Sequence, residues 1–510
     1  MRRSRVTGWA LAALVTGCGV DAGSDASWVT GDSGPGLVDD NVPPEIRIGA
    51  LTDGMRIHVA ALRPAFTATD DRALARVAFE INGVRTEVGA EDQTEWSEAV
   101  SAHARAGDNV ISLFAEDAAG NTAEATIRVS LERHLSGGGA HSAWVRPDDG
   151  RTVWTWGRNN KGQLGLGVVD DVGREVPSRV PALADVTWLD LRQNHALAVT
   201  QDGVVFAWGD NREGQLGLGL LDAPDFDDRS GPTALELDAR AVMSAAGYDH
   251  GLVLLESGAV VSFGANGSGQ LGDGSTEERS APAIVEGLDG IVQVVAGSKH
   301  SAALHDDGTV FVWGRNEYGT LGDGTQDENP HPQPRGVPEL TDVVQLASGR
   351  DHLLALRSDG TVFAWGLNHN GQLGNGDQGS GAEVLRPQPV HDLEGVVAVF
   401  ADGNYSFALR DDGSAVAWGQ NFGGNLGLGD EDTQDRALPA ETLGFEGGLA
   451  AIGLGALHGL ALTDEGALYS WGWSFRGSLG RPGLDHAAAY PTPTMVPVAP
   501  LSSPPEAPAP

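Results

Sequence analysis

The sequence predicts an all-β chain: a seven-bladed β-propeller of ~52-residue repeats, preceded by a small β-sandwich. Three observations carry this. A ten-residue motif, Trp-Gly-x-Asn-x-x-Gly-Gln-Leu-Gly in its fullest form at Trp156 to Gly165, returns with first residues Trp208, Phe263, Trp313, Trp365, Trp418 and Trp471. An acid-Gly turn signal recurs between copies at Asp149-Gly150, Asp202-Gly203, Asp307-Gly308, Asp359-Gly360, Asp412-Gly413 and Glu465-Gly466, with Ser257-Gly258 as a variant. The residues ahead of the repeats alternate as short strands with no helical period.

The chain opens with Arg2, Arg3 and Arg5 before an apolar stretch, Val6 to Val15, which reads as a secretory signal too short to span a bilayer. It ends Leu14-Val15-Thr16-Gly17-Cys18, and Cys18 is the only cysteine of 510 residues. This segment resembles the lipobox of bacterial lipoproteins. The resemblance implies a signal peptide over 1–17, cleavage before Cys18 and lipid attachment there; Gly19, not Asp, follows, so nothing argues for inner-membrane retention. Several acyl chains would anchor stably where one would not. Residues 18–42 carry five Asp and no basic residue, an acidic flexible tether.

From 43 to 131 come alternating strands: Glu45 to Ile48, Arg56 to Val59, Ala75 to Ile81, Asn109 to Phe114 and Thr126 to Val129. Such a segment fits a sandwich with one apolar face per sheet. Ala115 to Ala123 resembles the last hairpin of bacterial immunoglobulin-like domains, so an Ig-like β-sandwich is expected. Asp70, Asp71, Glu116 and Asp117 are either solvated turn carboxylates or a calcium site at one end.

Residues 132–498 hold the propeller. Each repeat offers a Val/Leu-rich strand, a His-Ser-x-Ala-Leu strand, a Thr-Val-x-x-Trp strand and a weak strand near Pro-Val pairs. A four-stranded sheet apolar on both faces cannot stand alone, and blades packed around an axis solve that. The motif Trp residues and Phe263 are expected between blades, since a Trp buries about 150–250 Å². The two blocks, Trp-Gly-x-Asn-x-x-Gly-Gln-Leu-Gly and Gly-x-x-His-Ser, are similar to those of the regulator of chromosome condensation family, which implies seven blades. The edge copies are the least regular: Ser136-Gly137-Gly138-Gly139 opens the first and Trp471-Gly472-Trp473-Ser474 marks the last, so Arg133 to Ser136 is expected to meet the last blade. Residues 499–510 form a Pro-rich disordered tail.

Seventy acids against thirty-three bases leave −37, and only Lys161 and Lys299 are lysines. Nucleic-acid binding rests largely on Lys and Arg contacts to phosphate, so it is excluded. An unknown protein partner with a basic face is favoured. Nothing beyond residue 18 approaches membrane-span length, so the lipid is the sole membrane contact, and the chain is taken as a monomer. No disulfide is available to the mature chain.

His141, His195, His250, His300, His352 and His458 recur at one place in six repeats, with Ser406 read as the seventh occupant. A metal or anion site, or a pH-sensitive belt, is one reading. Repeat-for-repeat recurrence fits a structural role better, each histidine capping its own blade. The variable loops after Leu-Gly run acidic: Asp170, Asp171, Asp225, Asp227, Asp228, Asp327, Glu328, Asp430, Glu431 and Asp432 are the candidate binding residues. None follows a metal-loop order, and no nucleophile, phosphate-loop or zinc motif stands in a supporting context, so no catalytic residue, metal or cofactor is expected. The expected function is a non-enzymatic, lipid-anchored binding platform of the cell envelope, at the outer membrane or cell surface, for a protein or a glycan. The family resemblance keeps two alternatives open: a guanine-nucleotide exchange factor-like regulator of a small GTPase, which export argues against, and an inhibitor of an extracytoplasmic enzyme.

Overall fold

The computed structural model describes residues 43–49, 55–57, 61–62, 65–81, 84–87, 93–99, 102–103, 107–131, 133–219, 225–429 and 433–498. The signal segment with Cys18, the tether, Asp430 to Asp432 and the tail lie outside the described residues. The chain divides into two compact units, with the boundary between Ser130 and Leu131.

In the N-terminal unit a long strand, Ala65–Ile81, organises the sheet. Its first half pairs with Glu45–Gly49 and Gln93–Ala99, and its second half with Val84–Glu87 and Gly107–Asp117. The sequence reading began this strand only at Ala75 and missed its Gln93–Ala99 neighbour, because polar residues such as Thr67 and Asp70 interrupt the apolar alternation. Leu74, Val77, Trp96, Ile111, Leu113 and Val129 supply its buried side chains.

The C-terminal unit consists of seven four-stranded antiparallel sheets in sequence order. Blade 4 shows the plan: Ile291–Ala296 lies innermost, then His300–His305, Val310–Gly314 and His331–Gly336 at the rim. The acid-Gly turn joins the second and third strands, with φ +83° at Gly308 and +80° to +84° at its counterparts, a region glycine enters without Cβ cost. The rim strands carry the prolines, as Pro332 and Pro334 do here, because an edge position loses no ladder bond to a missing N–H. The ten-residue motif closes the third strand and forms the loop to the fourth. His300 pairs with Gly314, so the histidine and the motif loop share one end of the blade, called here the motif-loop face.

Blade 1 begins with only three inner-strand residues, Leu135–Gly137, and the last blade is complete in itself with Ala488–Met495 at its rim. The ring therefore closes without exchanging a strand. Leu135, Trp144 and Trp156 of blade 1 pack with Leu460, Leu462 and Leu468 of blade 7, and the amide of Ala456 donates to the carbonyl of Gly138 at 3.0 Å. Leu135 and Gly138 thus meet the last blade by face packing, whereas Arg133, expected there too, bridges to Trp188 and pairs with Asp190 of blade 2 at 2.9 Å.

All six motif tryptophans and Phe263 are fully buried. Each indole N–H donates to one backbone carbonyl of the preceding blade, that of the motif residue just before Leu-Gly: Trp208 to Gln163, Trp313 to Gln270, Trp365 to Thr320, Trp418 to Gln372, Trp471 to Asn425 and Trp156 to Ser478, all at 2.8–3.0 Å. The motif Asn shapes the loop that presents this carbonyl. In blade 3 the Asn266 Oδ1 accepts the amide of Leu271 at 3.0 Å while its Nδ2 donates to Ser275. In three junctions a serine adds to the same carbonyl: Ser301 to Gln270, Ser406 to Gln372 and Ser142 to Ser478, each at 2.8 Å. The junction of blades 2 and 3 has neither, since Phe263 and Gly251 stand where Trp and Ser would donate.

Ser301→Ala is expected to destabilise the chain by about 1–3 kcal/mol, because a buried donor that relied on its oxygen loses its partner. Ala196→Ser, which places a hydroxyl beside the Gln163 carbonyl at the junction of blades 1 and 2, is expected to stabilise by about 1 kcal/mol. Urea unfolding of both variants checks the pair; equal midpoints would remove the serine from the junction's energetics.

Candidate functional site

The six histidines lie at the starts of the second strands and are buried. They do not cap their own blades. His250 reaches Ser301 of the next blade at 2.9 Å, His352 reaches Ser406 at 2.9 Å, His458 reaches Ser142 at 2.7 Å, and His300 reaches Ser348 at 3.0 Å. Each of these serines spends its only hydrogen on a backbone carbonyl. The imidazole must then donate from Nε2, which fixes the tautomer. The expected local cap is therefore not formed: these four imidazoles are spent on the neighbouring blade. Register also corrects the seventh occupant: Tyr405, not Ser406, pairs with Gly419 as His300 pairs with Gly314. Its hydroxyl lies 2.6 Å from the Gly455 carbonyl and 2.8 Å from that of His458, so it too bridges to the next blade.

His141 and His195 have no hydrogen-bond partner at either ring nitrogen, and the serine position of the blade that follows each is Ala196 or Gly251. Burial pushes every one of the six down, to about 3 at His141, His250 and His352 and about 4 at His195, His300 and His458. All six are neutral at physiological pH, and four of them, His250, His300, His352 and His458, bridge to the next blade, which suits a structural role.

At the end of the inner strand, five blades place glycine three residues before the histidine; in blade 4 a Cβ on Gly297 would stand 2.1 Å from the His300 ring. Blades 2 and 6 depart from this with Arg192 and Asp402, and the two meet across the ring at 2.7 Å, both buried. The Arg192 guanidinium also donates to the carbonyls of Ala296, Ser348 and Gly349, tying blade 2 to blades 4, 5 and 6. Burial pushes the Asp402 carboxyl up and Arg192 opposes that shift. Arg192 also lines an axial cavity of about 100 Å³, together with Asp190, Gln293 and Gln345. Gln293 and Gln345 are spent on the inner strand of the next blade, through Leu346 and Val399. Sequence reasoning missed the pairing of Arg192 with Asp402, although the signal was present as the two repeats whose glycine is replaced by opposite charges.

Among the described residues, the acidic loops lie on the motif-loop face of separate blades, and no three or more of their carboxylates gather into a group that could hold a metal ion. Asp170 accepts the Gly173 amide and pairs with Arg174 at 3.0 Å; Asp225 pairs with Arg229; Asp228 pairs with Lys161 of blade 1 at 2.9 Å; Asp327 accepts from Asn329 and His331. Asp171, Asp227 and Glu328 are exposed. In the N-terminal unit Asp117 accepts the amides of Ala119 and Asn121 and the Asn121 side chain, so it is the cap of its own hairpin turn. Glu116 lies 3.7 Å from Arg76, and the Asp71 side chain lies outside the described residues.

Two further features of the motif-loop face escaped the sequence reading. Between blades 2 and 3, burial and the neighbouring Glu213 and Asp210 raise the Asp249 carboxyl, and burial and Glu213 raise that of Glu278. On blades 6 and 7, Phe422 and Phe475 stand exposed at 61% and 41%, and Phe422 stacks on Trp473 with ring centroids 5.4 Å apart. The positions of the two phenylalanines hold Asn160, Arg212, Gly267, Glu317 and His369 in the other copies, which is the signal that could have found them.

An RCC1-like domain family model matches residues 218–505, and models of the regulator of chromosome condensation (RCC1) repeat match 149–199 and 193–215. Similar proteins include the E3 ubiquitin-protein ligase HERC2 of Homo sapiens, 33% identical over 355 residues that make up 66% of this chain and 7% of that protein. The ultraviolet-B receptor UVR8 of Arabidopsis thaliana is 30% identical over 306 residues, 58% of this chain and 55% of that one. The chain therefore spans less than two thirds of the length of either relative. Among solved structures, Prp20p of Saccharomyces cerevisiae, described with its binding properties to Gsp1p and histones, superposes with a TM-score of 0.60 at 23% identity, covering 72% of this chain and 86% of that one. Human WBSCR16 superposes with a TM-score of 0.60 at 24% identity, covering 68% and 95%. These two likenesses establish the fold.

Two outcomes follow from the buried groups. With the histidines lowered in the folded chain from about 6.5 to about 3–4, the unfolded chain binds more protons, so stability is full above about pH 6.5 and is lost as pH falls toward 4. Relief of acidic self-repulsion acts in the opposite sense, so the check is a difference: His195→Gln should take up about one proton fewer on unfolding than the parent between pH 6.5 and 5. Asp402→Ala should cost about 3–5 kcal/mol by stranding Arg192, and Arg192→Ala/Asp402→Ala should cost less than the sum of the single changes. Additive effects in that cycle would refute the cross-ring brace.

Proposed function

The chain belongs to the RCC1-like domain family, and from that membership we propose that it is an exported, lipid-anchored propeller serving as a non-enzymatic protein-binding platform of the cell envelope. One observation carries this reading. The residues constant among the repeats are spent on holding the blades together, whereas the motif-loop face varies from blade to blade and presents different side chains at equivalent positions. Binding surfaces are built this way on repeat scaffolds. Fold alone selects no activity.

Support for the setting comes from the N-terminal sequence, with its three arginines, short apolar run and single Cys18. Cys18 would carry the lipid, residues 19–42 would space the folded units from the membrane, and the 43–131 unit, Ig-like in its last hairpin, would act as a stalk. Support for a protein partner comes from net charge: residues 132–510 sum to −29, which repels phosphate backbones and favours basic surfaces. Prp20p is described as binding Gsp1p and histones, both proteins. Exchange-factor activity on a small GTPase does not suit an exported chain.

Labelling cells with a palmitate analogue should mark the wild-type protein and not Cys18→Ala, and equal labelling of the two would end the anchor. Pull-down from an envelope fraction with the chain from residue 19 onward should return an extracytoplasmic protein. Recovery of a cytosolic GTPase whose nucleotide release the chain accelerates would overturn the platform reading.

A further inference from the structure

The motif-loop face is unequal around its ring. On blades 6, 7 and 1 it displays exposed apolar side chains. Phe422 stacks on Trp473, Phe475 lies under the Arg476 guanidinium at 5.9 Å, and Arg476 donates to the Asp171 carbonyl at 3.0 Å, which brings blade 1 and Val172, 76% exposed, alongside. The patch thus crosses the point of ring closure. Large aromatic side chains left in water without a packing duty mark docking sites, and Trp, Phe and Arg are the residues that interface centres favour. Trp473 and Phe475 occupy the motif whose Asn is replaced by Ser474, so blade 7 has given up the loop-bracing amide where the aromatics are displayed.

On blades 2 and 3 the same face is anionic. Asp249, Glu213 and Glu278 lie near one another there: burial raises the Asp249 and Glu278 carboxyls and the Glu213 charge adds to both shifts, with Arg212 opposing at Asp249. A neutral glycan would gain no net charge attraction from these carboxylates, and a second copy of so acidic a chain would be repelled.

We propose that the motif-loop face docks a basic protein, whose apolar side chains pack on Phe422, Trp473 and Phe475 while its Lys and Arg side chains face the carboxylates of blades 2 and 3. The inference rests on the platform reading and adds the face, the anchor residues and the partner's chemistry. The aromatic patch would supply residence time, and the carboxylates would steer encounter in a salt-dependent manner.

Panning a random phage-displayed dodecapeptide library against the full chain, with counter-selection on Phe422→Ser/Phe475→Ser, tests it. Both phenylalanines are exposed, so an unchanged thermal midpoint shows that the variant remains folded. Enriched peptides should join Leu, Phe or Trp to Lys or Arg. A synthetic copy of the leading peptide should bind the variant about tenfold more weakly than the parent. It should lose about threefold on Glu213→Gln/Glu278→Gln, and weaken further between about 50 and 300 mM salt. Acidic or purely polar peptides, or equal affinity for parent and Phe422→Ser/Phe475→Ser, would overturn the proposal. Peptides whose binding instead depends on the acid-Gly turns of the opposite face would leave the platform standing and refute this placement; failure to enrich on any surface would count against both.

Discussion

A motif-loop carbonyl ties together six of the seven blade junctions. It belongs to the motif residue before Leu-Gly, it is held at a fixed place by the motif Asn, and it receives the indole N–H of the next blade's tryptophan. Burying an indole between two sheets is favourable only if that N–H finds an acceptor, and a loop carbonyl facing a dry interface needs a donor. Each solves the other's difficulty. The repeat varies widely elsewhere, and the Leu-Gly closure stays in all seven copies while the Trp and the Asn are each replaced once, by Phe263 and Ser474.

Histidine and serine form a second layer on the same interface, and its gaps are informative. Where the following blade offers Ser142, Ser301 or Ser406, the imidazole is fixed as an Nε2 donor; where it offers Ala196 or Gly251, the histidine is buried without a partner. The junction of blades 2 and 3, with Phe263 as well, is the least bonded of the seven by these criteria. Arg192 leaves blade 2 at this point and crosses the axis to blades 4, 5 and 6, so the brace begins at a blade with a poorly bonded neighbour junction.

Much of the propeller was legible because its signals are local. An acid-Gly pair sets a turn, a β-branched run sets a strand, and a fixed period sets a stack of like units. The strand from Ala65 was read too short because Thr67 and Asp70 break the alternation within a long strand. Tyr405 was overlooked because alignment by the neighbouring serine shifts the register by one residue, and only pairing with Gly419 settles it. Of the candidate site, the sequence located the acidic loops but not their isolation from one another, since Asp170, Asp228 and Asp327 are distributed around a ring that linear distance does not describe.

The sequence by itself determined how many blades there are, which strands build them and which aromatic residues lie between them, because each of these follows from composition and spacing within one repeat. Only the tertiary structure decided which residues meet across repeats. Arg192 and Asp402 look like two unrelated lapses from Gly-x-x-His until closure of the disc brings them within 2.7 Å. Phe422, Trp473, Phe475 and Val172 look like scattered substitutions until blades 6, 7 and 1 become neighbours. A repeat states which positions are equivalent, whereas charge pairing and surface patches depend on distances around the axis, and those exist only once the ring has closed.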